Sequence, residues 1–219
     1  MKKGTVFVTI GLLLIAAALF LTGYNLWDSH RAGLAADAAL EQLAERINSD
    51  PIPEQGRAVP GNQKANGGTA EALTDEIEYP DYILNPNMEM PMEKIDGRDY
   101  IGVLTIPAID LELPVCSEWS TYNLSYSPCR YVGSAYLDNM IICAHNFDTF
   151  FRNLKNLSYG DTVEFTDIDG NVFTYQVIEM INILPTAPEE LTAGEWDLTL
   201  FTCTPGAAYR VTVRLDRRE

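Results

Sequence analysis

Apolar residues along this chain fall into three regimes. Residues 4–24 form an unbroken apolar run without a charged residue, with VFVTIGLLLIAAALFLTG at its heart. About 20 such residues are enough to cross a bilayer as a helix. From residue 28 to 47 the spacing turns helical: Leu34, Ala38, Leu40, Leu43 and Ile47 recur, Ala is abundant and Pro is absent. This predicts a second helical stretch that continues the first as a stalk. Residues 48–79 then place Pro51, Pro53, Gly56, Pro60, Gly61, Gly67 and Gly68 among polar residues. That is the composition of a flexible linker, from which a tethered domain searches a volume near the membrane.

Beyond residue 99 the pattern is one of short strands and turns. Strands are expected over residues 101–106, 111–115, 140–144, 162–165, 172–177, 198–203 and 210–215. The run Asp167-Ile168-Asp169-Gly170-Asn171 marks a hairpin between the fourth and fifth of these. Residues 150–157 read as one short helix with Phe151, Leu154 and Leu157 inward. The less polar residues 82–91 read as cover across the domain surface, Met88, Met90 and Met92 included. Many short strands, few helices and no repeat predict an all-β domain, a closed β-barrel. The expected layout is an anchor over residues 1–27, a helical stalk over 28–48, a linker over 49–80 and the barrel over 81–219.

Charge narrows the partners. Fifteen Lys and Arg against 31 Asp and Glu give a net charge of −16. Binding a phosphate backbone needs a basic stripe, and this balance argues against nucleic acid. Lys2 and Lys3 precede the apolar run, and Tyr24 and Trp27 follow it as an interfacial belt. A cleaved secretory signal would carry a shorter apolar core, roughly 7–15 residues. The expectation is an uncleaved, single-pass anchor with its N-terminus in the cytoplasm and the barrel outside. Outside the cytoplasm disulfides are permitted. Cys116, Cys129, Cys143 and Cys203 show no CxxC spacing, and Cys116 with Cys129 is one conceivable pair.

The candidate chemistry lies at strand ends. Only two histidines occur, and His30 belongs to the stalk, which leaves His145 after the buried run Met140-Ile141-Ile142-Cys143-Ala144. Cys203 ends another apolar strand, Leu198-Thr199-Leu200-Phe201-Thr202. A thiolate that attacks a carbonyl and an imidazolium that protonates the leaving amine suffice for acyl transfer. Arg210 opens the next strand across Pro205-Gly206, so pairing of the two strands brings its permanent cation near the sulfur. There it can stabilise the thiolate, hold a substrate carbonyl or support an oxyanion. Cys143 shares the face of His145 and reads as packing, and Arg130 as structural. Asp161, Glu164, Asp167 and Asp169 fit no complete calcium loop and read as hairpin surface. No metal or cofactor is implied.

The segment Thr199-Leu200-Phe201-Thr202-Cys203 followed by Arg210 resembles the signature of the sortase family, TLxTC…R. His145 at the end of its apolar strand resembles that family's histidine strand. The likeness extends from about Tyr100 to Arg214 and includes Leu154-Lys155-Asn156-Leu157-Ser158-Tyr159-Gly160-Asp161. It implies the eight-stranded sortase barrel and a cysteine transpeptidase with Cys203, His145 and Arg210 in its site. It further implies cleavage of an LPxTG-like sorting signal between Thr and Gly, through a thioacyl-enzyme resolved by an amine. The partners would be proteins with a C-terminal sorting signal and an amine of a peptidoglycan precursor or a pilin. Cys143-Ala144-His145 departs mildly from the family's small-Gly-His triplet. Without a second apolar span, and with Asn85-Pro86-Asn87-Met88 a poor match to the lid of the pilin-polymerising class, the expected class is B- or D-like. Two rival readings remain. One is another exported cell-wall cysteine peptidase or transpeptidase; the other is a non-catalytic tethered β-module that binds wall peptides.

Overall fold

A computed structural model describes residues 2–49 and 79–218. The expected linker lies outside the described residues except at its two margins. The chain opens with one continuous helix, α1 (Lys2–Ser49), and resumes with the single turn α2 (Asp81–Leu84). The strands are β1 (Glu93–Ile95), β2 (Arg98–Ile106), β3 (Leu111–Cys116), β4 (Cys129–Val132), β5 (Met140–Cys143), β6 (Thr162–Asp167), β7 (Val172–Ile183), β8 (Leu198–Cys203) and β9 (Arg210–Arg218). Short helical turns fill the connections, α3 (Thr121–Leu124) before β4 and α4 (Glu189–Thr192) before β8.

Eight strands close on themselves in the order β2-β3-β4-β5-β8-β9-β7-β6, because β6 pairs back onto β2. This is the closed eight-stranded barrel that the strand pattern and the family resemblance implied. β1 is a ninth strand, folded onto the start of β2 through Asp96 and Gly97, both at positive φ. Glu93-Lys94-Ile95 is too short and too charged to register as a strand in the sequence. β7 runs further than expected, from Val172 to Ile183, because a bulge between Val177 and Glu179 resets the alternation and lets pairing with β9 continue.

The side-chain period of two divides the sheet into an inner and an outer face. Leu104, Ile106, Leu113, Val115, Met140, Ile142, Phe165, Phe173, Tyr175, Leu198, Leu200, Val213 and Leu215 fill the interior. The opposite face is also largely covered: Cys116, Cys129, Ile141, Cys143, Phe201 and Ile183 cluster there with Leu191 and with Ala39 and Leu43 of α1. Phe150, Phe151, Leu154 and Leu157 are buried around the short helix of residues 151–156. Tyr82 of α2 stacks on Tyr136 with ring centroids 4.8 Å apart, so this segment does cover the barrel.

The stretch from Val6 contains a run long and apolar enough to cross a membrane, and the barrel covers none of it. The second half of α1 behaves differently. Ala32, Ala36, Ala39 and Leu43 are buried, whereas Leu34 and Ala38 of the expected apolar stripe face outward. Small residues let the helix backbone approach closely. A Cβ added at Gly33 would meet Thr149 Cγ2 at 2.8 Å, and Thr149 Oγ1 donates to the Ser29 carbonyl at 3.3 Å. Asp167 also departs from expectation. It is fully buried and not hairpin surface, accepting hydrogen bonds from Tyr136 Oη (2.8 Å), Asn171 N (2.8 Å) and Asn171 Nδ2 (2.9 Å).

Candidate active site

β5 and β8 run parallel, with Cys143 paired to Phe201 at their ends. The pairing continues past the strands. Ala144 N donates to Phe201 O at 3.3 Å, and Thr202 Oγ1 donates to Ala144 O at 2.8 Å. His145 follows Ala144 directly, just past the end of β5, and the register carried two residues on would set it against Cys203. On the other side of β8, Cys203 pairs with Arg210 of β9. Extended in this way, the register aligns the three residues in one row at the end where the strands leave the core, with Cys203 and Arg210 sharing the outer face. Cys203 is exposed, while the five preceding residues of β8 are buried.

The β8–β9 connection is pinned at its base. Thr204 N donates to Tyr209 O at 2.8 Å, and Tyr209 N donates to Thr204 Oγ1 at 3.0 Å. Gly206 and Ala207 supply the two positive-φ positions that the tight loop needs. The sequence alone placed the Pro-Gly turn; the threonine clamp came from the fold.

Arg210 and Arg214, both on the outer face of β9, differ in how they are engaged. Arg214 is tied by an ion pair to Glu179 at 2.6 Å, by a bond to the Glu190 carbonyl at 2.9 Å, and by stacking over Trp196. Arg210 lies over the Phe201 ring, Cζ 5.7 Å from its centroid, and its buried Nη1 has no hydrogen-bond partner among the described residues. A desolvated N–H without a partner is costly unless something else fills the vacancy. Beside a candidate nucleophile, a substrate oxygen is the natural acceptor.

Burial pushes the His145 imidazole below its ordinary value, because a charged ring is poorly solvated there. Asp28 of α1 opposes this through its charge. The imidazole is thus mainly neutral at neutral pH and suited to accept a proton. Its ring packs at 5.0 Å from Phe147. Burial drives the Cys143 thiol up to about 12, as befits a packing residue. Arg130 donates from Nε to the Ser117 carbonyl at 2.8 Å, a structural bond. His30 lies exposed on α1. Sequence reasoning did not find Asp28, Thr202 or Phe201. Thr202 was legible in part, since it stands within the signature that the cysteine closes. Nothing in a helix of Ala, Asp and Arg marks Asp28 as a neighbour of a residue more than a hundred positions away.

A family model, the sortase domain, matches residues 104–217. The chain belongs to the sortase family. Sortases are cysteine-dependent transpeptidases, and the matched segment contains the whole row of His145, Cys203 and Arg210. Sortase A of Bacillus anthracis is 22% identical over 209 residues, covering 93% of this chain and 89% of that protein. The solved structure of a Clostridium perfringens sortase D5 transpeptidase is 21% identical, covers 58% of this chain and 83% of its own, and superposes with a TM-score of 0.50. Sortase C1 of GBS pilus island 1 is 27% identical over 55% of this chain, with a TM-score of 0.49. The match spans 64% of that chain, less than two thirds of its length.

Proposed function

We propose that this sortase cleaves an LPxTG-like sorting signal with Cys203 as nucleophile and passes the acyl group to an amine. The observation that carries the reading is the row His145–Cys203–Arg210, with an exposed thiol between a neutral imidazole and an unpaired guanidinium. In the first step His145 accepts the thiol proton as the sulfur attacks the scissile carbonyl carbon. Arg210 Nη1 donates to the oxygen that gains charge. Collapse breaks the carbon–nitrogen bond, and the imidazolium gives its proton to the departing amine. The incoming amine attacks the thioester, loses a proton to His145 and expels the Cys203 thiolate, which is then reprotonated.

The acyl donor is a protein that bears a C-terminal sorting signal, and the acceptor is an amine of a peptidoglycan precursor or a pilin. A groove of about 200 Å³ lies on the same outer face, lined by Ile141 of β5, Thr199 of β8, and Leu191 and Trp196 of the preceding loop. Its walls suit an extended peptide that leads to Cys203. The apolar half of α1 is the membrane anchor, with the N-terminus in the cytoplasm and the barrel outside. The domain layout expected from the sequence serves this arrangement.

The test uses the full chain in detergent, a panel of quenched sorting-signal peptides and an amine acceptor, with product mass read directly. Cleavage and an amine-linked product are expected, and both vanish in Cys203→Ala and His145→Ala. Absence of cleavage across the panel, or variants as active as the parent, would sink the transpeptidase assignment.

A further inference from the structure

Three of the four cysteines are buried, outside the row that carries the chemistry, and they are collinear. The register runs Cys116 on β3, Cys129 on β4, Cys143 on β5 and Phe201 on β8, each paired with the next. The first of these pairings stands apart, because it is the only registered pair between β3 and β4. Other seams of the barrel hold three or more: β4–β5 has three and β5–β8 has four. Barrel closure at β3–β4 therefore rests on one ladder position, supported by Cys116 N donating to Pro128 O at 2.8 Å and by Ser127 Oγ donating to Pro114 O. Both residues at that position are cysteines, both wholly buried.

We propose that Cys116 and Cys129 form a disulfide that locks the β3–β4 seam. Paired strands stand about 5 Å apart, within the Cα separation that a disulfide spans. Paired residues of a parallel ladder also point to the same face, so the two side chains leave the seam on one side. In the reduced chain Cys129 Sγ donates to the Ser127 carbonyl at 3.4 Å, a weak bond that the disulfide would replace.

The chemistry needs a disulfide carrier, either an exported thiol oxidoreductase or glutathione disulfide, acting before the seam is buried. The Cys116 thiolate attacks one carrier sulfur and expels the other as a thiolate, giving a mixed disulfide. Cys129 then loses its proton, attacks the Cys116 sulfur and releases the second carrier thiolate. Two protons and two electrons pass to the carrier. The inference rests on the proposed placement of the barrel outside the cytoplasm, where such carriers operate.

The strand that this bond would pin bears on the site. Tyr131, two residues beyond Cys129, meets the edge of Phe201 at 5.6 Å, and Phe201 underlies Arg210. A seam that slips moves the floor beneath the guanidinium. The lock therefore serves the reaction as well as the fold.

The experiment unfolds the purified full-length chain, refolds it in detergent in an oxidising glutathione buffer, quenches with acid, alkylates under denaturing conditions and maps peptides without reductant. Two of the four thiols are expected to alkylate, Cys143 and Cys203, with a cross-link between the peptides of Cys116 and Cys129. Four alkylated thiols, or a cross-link through Cys143 or Cys203, overturn the proposal. Reduction should lower the melting midpoint by about 5–10 °C. The same treatment should leave Cys129→Ala unmoved. A parent chain whose midpoint ignores the reductant removes the locking role. Placement is read separately, by labelling Cys203 in intact cells with a membrane-impermeant maleimide. A cytoplasmic barrel and a seam that does not oxidise thus give different results.

Discussion

The two faces of the barrel wall are built from the same strands and do opposite work. Along β8, Leu198 and Leu200 point inward among Met140, Ile142, Val213 and Leu215. Thr199, Phe201 and Cys203 point the other way, toward Ile141, Cys143 and Arg210. The inner face is mostly apolar, with Asp167 and its partner Tyr136 the exception, and its aliphatic residues are replaceable by others of similar volume. The outer face is particular. It carries the thiol, the imidazole, the unpaired guanidinium and the seam cysteines, each with a distinct neighbour. Stability and chemistry are therefore separable by parity along a strand, two ångström-scale choices made at every second residue.

Substitutions can break that separation. Cys203→Ala has the largest expected effect, a loss of at least about 10³-fold in kcat/KM with an unchanged melting midpoint. A variant that melts early would show that the exposed sulfur also supports the fold. On the inner face, Leu200→Ala should cost about 2–5 kcal/mol in chemical denaturation, while kcat/KM per folded molecule stays near the parent value. Arg210→Ala should cost about 10²–10³-fold in turnover, and Lys at this position should restore only part, since it lacks the planar fork. Arg214→Ala sharpens the contrast, because the loss there falls on stability through the pair with Glu179.

The smallest effect is in pH. The folded pKa of His145 lies below its unfolded value, near 6.5. The folded chain then binds fewer protons than the unfolded chain as pH falls past that value. Its contribution to stability is whole above about pH 6.5 and is lost as pH drops through the folded pKa. The acid limb of kcat/KM should accordingly fall below pH 6.5. Asp28→Asn removes the opposing charge and should move that limb to lower pH. An unmoved limb would mean that α1 does not act on the imidazole.

How far the fold was legible follows from the range of the interactions concerned. Strand alternation and turn residues are local signals, so β2, β3, β5, β6, the first half of β7, β8 and β9 were readable, and so was the family signature that closes on Cys203. The docking face of α1 was legible only in part. Leu40, Leu43 and Ile47 of the expected stripe do pack on the barrel, but Leu34 and Ala38 face outward, and Ala32, Ala36 and Ala39 are buried instead, with Gly33 close against Thr149. Periodicity ranks residues by hydrophobicity and cannot see that a small side chain wins where backbones must approach. Asp167 misled for the matching reason: its charge reads as surface, and only the partners Tyr136 and Asn171 make burial tolerable. The buried row of cysteines was visible as three letters but not as a line, since it is created by strand order.

The continuity of α1 sets a dimension of the molecule. The helix rises about 1.5 Å per residue, so Trp27 and Gly33 are separated by roughly 9 Å along its axis. Gly33 abuts the loop that follows His145. If α1 anchors the chain as proposed, with Trp27 at the bilayer surface, the candidate catalytic row stands only a turn or two of helix above the lipid. A domain on a loose leash would sample a hemisphere; this one would be a lathe tool clamped at fixed height. The proposed donor and acceptor would then both have to be presented in that thin layer, where substrates diffusing within the membrane plane meet the thiol in two dimensions.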